Sequence, residues 1–377
     1  MVLTGGTERA SKWASSAQDE RAAACHLGSR PHDEHDDSTP TRAGSVMKAV
    51  RFHDFGGPEV LRHEDVEPPV PGVGQVRIRV AATSFNGLDV TLRAGDLRDR
   101  SPLRLPHTPG LDVAGTVDAL GPGVDEISIG DRVVGLLPMT APGAAAQHVL
   151  APAQVLAGVP RRLPLTDLAA LPLVGLTAWQ ALFDHGGLMA GQRVLINGVG
   201  GAVGGYAVQL AVETGAQVLV TARPSSTVRV KAAGSDEGTV HTLDHALDHA
   251  LDHTLDPALV DVAHAVVEPV DLVLNLAPTG AKQLAAMVPL IRDGGRLVST
   301  TAWIPTPCDE ERGVQGVNLS VRSDADQLAD LVARVSTGEL LVNVAERVAL
   351  ADLPALHARA HAGELPPGKV VVLIPPA

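Results

Sequence analysis

The chain has 377 residues, 45% of them hydrophobic, enough for two domains that each bury a core. A formal net charge of −13 repels a phosphate backbone, which argues against nucleic acid as a partner, and no run of about 18 apolar residues is present to cross a membrane. Two cysteines, Cys25 and Cys308, leave no disulfide framework and no four-cysteine zinc site, which fits a reducing, cytoplasmic setting.

Residues 1–46 mix Ser, Gly, Ala, His and charge without a periodic apolar face or a secretory apolar run. They are read as a disordered extension, with Met47 a candidate start of translation. From 47 to 165, short alternating strands (Met47–Phe52, Val76–Val80, Val113–Ala119) separated by Gly and Pro turns predict a mostly β domain. From 166 to 314 the texture changes. A helical run over Asp167–Phe183 leads to a strand at Arg193–Ile196, a glycine-rich turn, a helix to about Thr214 and a strand at Gln217–Thr221. Strands at Val270–Asn275 and Gly295–Thr300 follow, around a helix at Ala281–Ile291. This alternation predicts an α/β, doubly wound parallel sheet. Residues 315–377 return to strand and loop, ending in Gly368–Ile374, and are expected to complete the first domain.

A four-residue repeat occupies Leu243–Asp256. A helix would stack Leu243, Leu247, Leu251 and Leu255 on one stripe and His241, His245, His249 and His253 on another, a spacing at which two imidazoles can grip a metal. No shell of acids and histidines is evident to orient the rings, so a low-complexity surface insertion is favoured and no metal site is assigned.

The chemical centre is the turn after Ile196, where Gly198, Gly200, Gly201, Ala202, Val203 and Gly204 lead from a strand into a helix. Backbone N–H groups and the positive helix terminus there suit a pyrophosphate. About twenty residues on, where an NAD enzyme places an acid for the ribose hydroxyls, the chain reads Thr221-Ala222-Arg223. Thr221 and Arg223 are candidates to hold a 2′-phosphate, which favours NADPH. Asn275 and Thr300, at two later strand ends, complete the candidate cofactor contacts.

Several segments in order resemble the zinc-free quinone oxidoreductase and enoyl reductase branch of the medium-chain dehydrogenase/reductase superfamily. They are Phe55–Leu61, Asn86–Asp89, Pro109–Gly115, Gly130–Val133, Leu176–Leu182, Gly294–Arg296 and Gly368–Val371. The resemblance implies a GroES-like domain followed by a Rossmann domain, with a homo-oligomer, as a dimer, expected. Zinc-dependent relatives have cysteine where this chain has Asn86, and Gly-His-Glu where it has Gly110-Leu111-Asp112. By similarity Asn86 lines the cleft beside the nicotinamide and Thr177 meets the cofactor from the opposite wall. Relatives often place a tyrosine where this chain has Leu97, and an aromatic with a glutamate near Gly143–His148, so no tyrosine proton donor and a roomier pocket are expected. The implied activity is hydride transfer from NADPH to a quinone or an α,β-unsaturated carbonyl. The competing readings are a non-catalytic NADPH-binding sensor or scaffold, and a zinc alcohol dehydrogenase.

Overall fold

The computed structural model describes residues 46–221, 240–242, 268–301 and 304–376, with the backbone alone for 240–242. The extension up to residue 45, Arg223 and the repeat at 243–256 lie outside the described residues.

The alternation read at Val76–Val80 is a strand that buries one face. Strand β3 (Gln75–Ser84) turns Val76, Ile78, Val80 and Ala82 inward. With it pair β4 (Asp112–Leu120), β5 (Arg132–Leu136), β6 (His148–Pro152), β7 (Leu156–Gly158) and two C-terminal strands, β14 (Val344–Ala349) and β15 (Lys369–Leu373). The order is β14-β15-β3-β4-β5-β7, with β6 also on β3, and only β14–β15 is a parallel pair. Strands β1 (Met47–Phe52) and β2 (Leu61–Val66) pair separately. Between β3 and β4 lies a helix that the reading of strands and turns missed, α1 (Gly87–Ala94), with Asn86 as its N-cap.

The second sheet is made of runs buried on both faces, such as Val194-Leu195-Ile196, as expected of parallel strands covered by helices. Its strands are β8 (Arg193–Asn197), β9 (Gln217–Thr221), β10 (Val240–Thr242), β11 (Val270–Asn275), β12 (Ile291–Ser299) and β13 (Gln315–Asn318). All are parallel, in the order β10-β9-β8-β11-β12-β13. That is the doubly wound Rossmann order, whose switch point falls between β8 and β11. Helices α2 (Pro172–Trp179), α3 (Ala202–Glu213) and α4 (Ala281–Met287) accompany it.

Three expectations shift. The residues after 314 do not return at once to the first sheet: β13 is the sixth parallel strand, and the return comes at β14. The same stretch holds two helices not foreseen, α5 (Ala325–Thr337) and α6 (Leu353–His361). His241 lies in β10, so a helical histidine stripe cannot begin there.

One hydrophobic cluster joins the sheets, packing Ala82, Leu92, Ala114 and Val134 together with Leu176, Ile196 and Tyr206. Among the described residues no helix is long and apolar enough to cross a membrane.

Candidate active site

Strand β8 ends at Asn197, and Gly198 then takes φ +88°, a left-handed conformation that a side chain resists. A Cβ on Gly204 would lie 2.4 Å from Val199 Cα, so α3 rests directly on the turn. At Gly201 a Cβ would meet only Gly198 O, at 4.0 Å, which leaves open the approach to the N-terminus of this 12-residue helix. Gly198, Gly200, Gly201, Ala202, Val203 and Gly204 thus share one strand-turn-helix whose close packing and open mouth fit a pyrophosphate.

The strand ends beside the turn are laced together by side chains. Thr221 Oγ1 donates to Asn197 Oδ1 at 2.6 Å and accepts from Gly198 N at 3.0 Å. Asn197 Nδ2 donates to Asn275 Oδ1 at 2.8 Å, across the switch point from β8 to β11. Asn275 Nδ2 reaches Thr279 Oγ1 at 2.8 Å and Ser299 Oγ at 3.2 Å. Asn275 is fully buried and Thr221 nearly so, their polar groups engaged with neighbouring strand ends beside the glycine turn. Thr300 is half-buried and donates to the Asn275 carbonyl at 3.2 Å.

Asn86 is the N-cap of α1. Its Nδ2 donates to Asp112 Oδ2 at 2.9 Å, its Oδ1 accepts from Lys369 Nζ, and its backbone N–H donates to Asp89 Oδ2 at 3.0 Å. Asp89 Oδ1 also accepts from Gly110 N at 3.0 Å. Asp112 and Lys369 form a buried ion pair at 3.3 Å. Burial pushes the Asp89 carboxyl up to about 6, against the opposing pull of its two backbone donors. Burial likewise lowers the Lys369 ammonium, opposed by the two carboxylates.

Thr177 is buried on α2, where its hydroxyl donates to Leu173 O at 2.6 Å, the backbone bond usual for a helical threonine. Leu97 is buried, and Tyr206 lies in the core with its hydroxyl on Ala170 O at 3.0 Å. Near Gly143, where the resemblance implies a roomier pocket, the chain itself is closely packed. Ala144, Ala145 and Ala146 are buried, and a Cβ on Gly143 would meet Pro109 O at 2.4 Å. Small residues here let three chain segments run side by side, bonding Ala145 N to Pro109 O and Val50 N to Ala145 O. Gln147 clasps the C-terminal segment through Pro375 O and Pro376 O.

Sequence reasoning assigned no role to Asp89, Asp112 and Lys369. For Asp112 and Lys369 the available signal was a charge opening an apolar run, Asp112 before Val113-Ala114 and Lys369 before Val370-Val371-Val372, since a charge in a strand core needs a partner.

Residues 72–161 match the alcohol dehydrogenase GroES-like domain, and residues 245–372 match the zinc-binding dehydrogenase family. A chloroplastic quinone oxidoreductase of Triphysaria versicolor is 30% identical over 88% of this chain and 99% of its own length. The quinone oxidoreductase of Lama guanicoe is 31% identical over 87% and 98%. A chloroplast envelope quinone oxidoreductase homolog of Arabidopsis thaliana is 35% identical over 52% of this chain and 61% of that protein. Among solved structures, the quinone oxidoreductase of Coxiella burnetii superposes with TM-score 0.73 at 26% identity, covering 88% of this chain and all of that one. A mycobacterial protein complexed with NADPH superposes with TM-score 0.71 at 30% identity, covering 87% and 99%.

Proposed function

Because this chain belongs to the quinone oxidoreductase family of the medium-chain dehydrogenase/reductases, we propose that it transfers hydride from NADPH to a quinone or an enone without zinc. The observation that carries this reading is the glycine turn at the switch point of a six-stranded doubly wound sheet, open above the α3 terminus. NADPH, when bound, supplies the hydride. The chain's own residues do the rest: Gly198–Gly204 hold the pyrophosphate, Asn86 and Thr177 wall the nicotinamide, and orientation between them accounts for most of the rate. With leucine at position 97, the proton that completes the reduction comes from solvent.

Zinc fits these residues poorly. Asn86 and Leu111 stand where zinc relatives have cysteine and histidine, and a buried ammonium already touches Asn86 and Asp112. A divalent cation would meet like charge there with too few soft ligands. The preference for NADPH is supported by the sequence Thr221-Ala222-Arg223, which follows β9 with an arginine and no acid.

Fluorescence titration with both cofactors, and steady-state oxidation with a panel of quinones and enones, test the reading. Wild type is expected to prefer NADPH and to turn over at least one acceptor. Arg223→Ala is expected to weaken NADPH by roughly ten- to hundredfold and leave NADH nearly unchanged. Equal weakening of both cofactors removes the NADP assignment. Tight NADPH binding with no turnover on any acceptor turns the reading to a sensor, and stoichiometric zinc in the purified enzyme overturns the zinc-free part.

A further inference from the structure

Asp112 opens β4 in the antiparallel sheet, yet it reaches the helix that leads into the parallel one. Its Oδ1 accepts from Leu173 N at 2.7 Å, in the first turn of α2. That N–H is one of the donors that a helix start leaves without an intrahelical acceptor. The N-cap of α2, Leu171, has no side-chain oxygen to offer, so the cap comes from the other sheet. The second oxygen, Oδ2, accepts from Ser84 on β3, from Asn86 and from Lys369 on β15.

Lys369 is matched as fully. Its ammonium has three protons and three acceptors: Asp112 Oδ2 at 3.3 Å, Phe85 O at 3.2 Å and Asn86 Oδ1. Both members of the pair are buried, where an ion pair persists only if its remaining hydrogen-bonding capacity is met, as it is here. Asp89 anchors the other end of Asn86 through its backbone N–H. Asn86, at the start of α1, and the first turn of α2 are therefore tied to one carboxylate, and Thr177 lies one helical turn beyond Leu173.

We propose that Asp112 and Lys369 are positioning residues that hold Asn86 and the Thr177 helix in register with each other across the two sheets. The role in hydride transfer rests on the function proposed above; the mechanical link does not. A pair serving only general stability would shift the unfolding midpoint and leave the folded molecules otherwise alike.

The test compares Lys369→Met and Lys369→Arg with wild type, and reads Asp112→Asn in the same way because it keeps the shape if the methionine variant does not fold. In the cofactor-free protein, hydrogen exchange at Leu173–Thr177 and Asn86–Val90 is expected to quicken about tenfold in Lys369→Met, with β8 and β9 unchanged. In turnover, kcat is expected to fall by roughly one to two orders of magnitude while NADPH affinity stays within about twofold. The isotope effect from NADPH deuterated at C4 should rise, and Lys369→Arg should recover most of kcat. Unchanged exchange at both helices in a folded variant overturns the proposal, and so does faster exchange spread evenly over the whole chain. If wild type reduces no acceptor, the functional reading falls, and the exchange comparison still decides the link.

Discussion

At the scale of single residues, buried titratable groups set how the protein responds to acid. Burial pushes His107 down to about 4 and His357 down to about 3, the latter with help from the Arg93 guanidinium beside it. Both are neutral in the folded chain at pH 5, while in the unfolded chain histidines bind protons below about 6.5. The unfolded state therefore takes up more protons, and stability falls as pH drops through this window, by about 2 kcal/mol for each histidine at pH 5. Asp89 acts in the opposite sense: its raised value of about 6 means that the fold gains as that carboxyl protonates, returning about 1 kcal/mol at pH 5. The net expectation is a protein less stable at pH 5 than at pH 7 by on the order of 3 kcal/mol. Thermal scans across that range should show a falling midpoint, with a shallower slope in His107→Phe; a flat midpoint in wild type contradicts the assignment. Two glycines of α3 give a sharper comparison. Gly204→Ala drives a methyl into Val199 and is expected to cost about 1–3 kcal/mol and weaken NADPH binding at least about tenfold. At Gly205 a Cβ meets nothing within 4 Å, so Gly205→Ala should be neutral or stabilising by up to about 1 kcal/mol. Melting and cofactor titration of both variants check the pair, and equal effects would mean that α3 does not rest on the turn as described.

At the scale of elements, the helices that sequence reading passed over are instructive. In α5 the apolar positions Leu328, Leu331, Val332 and Val335 follow a helical spacing, and Asp324 caps the start by accepting from Gln327 N at 3.0 Å. Gly338, with φ +86°, ends it. Every one of these signals is local and was available in the sequence; the expectation of a β tail outweighed them. Asp324→Ala should cost about 1 kcal/mol, read as a midpoint lowered by a few degrees without loss of cofactor binding. No change would assign the cap no share in stability. Helix α1 was harder to see, because its eight residues begin with glycine and the Asn86-Gly87 pair at its start reads equally as a turn. Its N-cap Asn86 was singled out for its place in the family pattern, not for the helix it starts.

At the scale of the whole molecule, the two sheets share a core. Leu168, fully buried in the connection between them, joins a cluster that includes Ala82 and Ala114 on one side and Ile196 and Val218 on the other. Leu168→Ala should cost about 2–5 kcal/mol and lower a single unfolding transition seen alike by circular dichroism and fluorescence; two separated transitions would show that the sheets unfold independently. The residues before 47 offer no periodic apolar face in sequence, so a chain beginning at Met47 is expected to keep the wild-type midpoint and NADPH affinity. Sequence by itself determined the strand-turn-helix of the glycine loop, the parallel strands around it and the family, because period, glycine placement and apolar runs are local properties of a chain. Only the tertiary structure decided that Thr221 and Asn275 are buried and bonded to Asn197 between them, that β13 extends the parallel sheet, and that Asp112 and Lys369 meet beside Asn86. Lys369 is 257 residues from Asp112 in sequence, and a charge in a strand declares that it needs a partner without saying which. Sheet pairing makes that choice, by setting β15 and β4 on either side of β3.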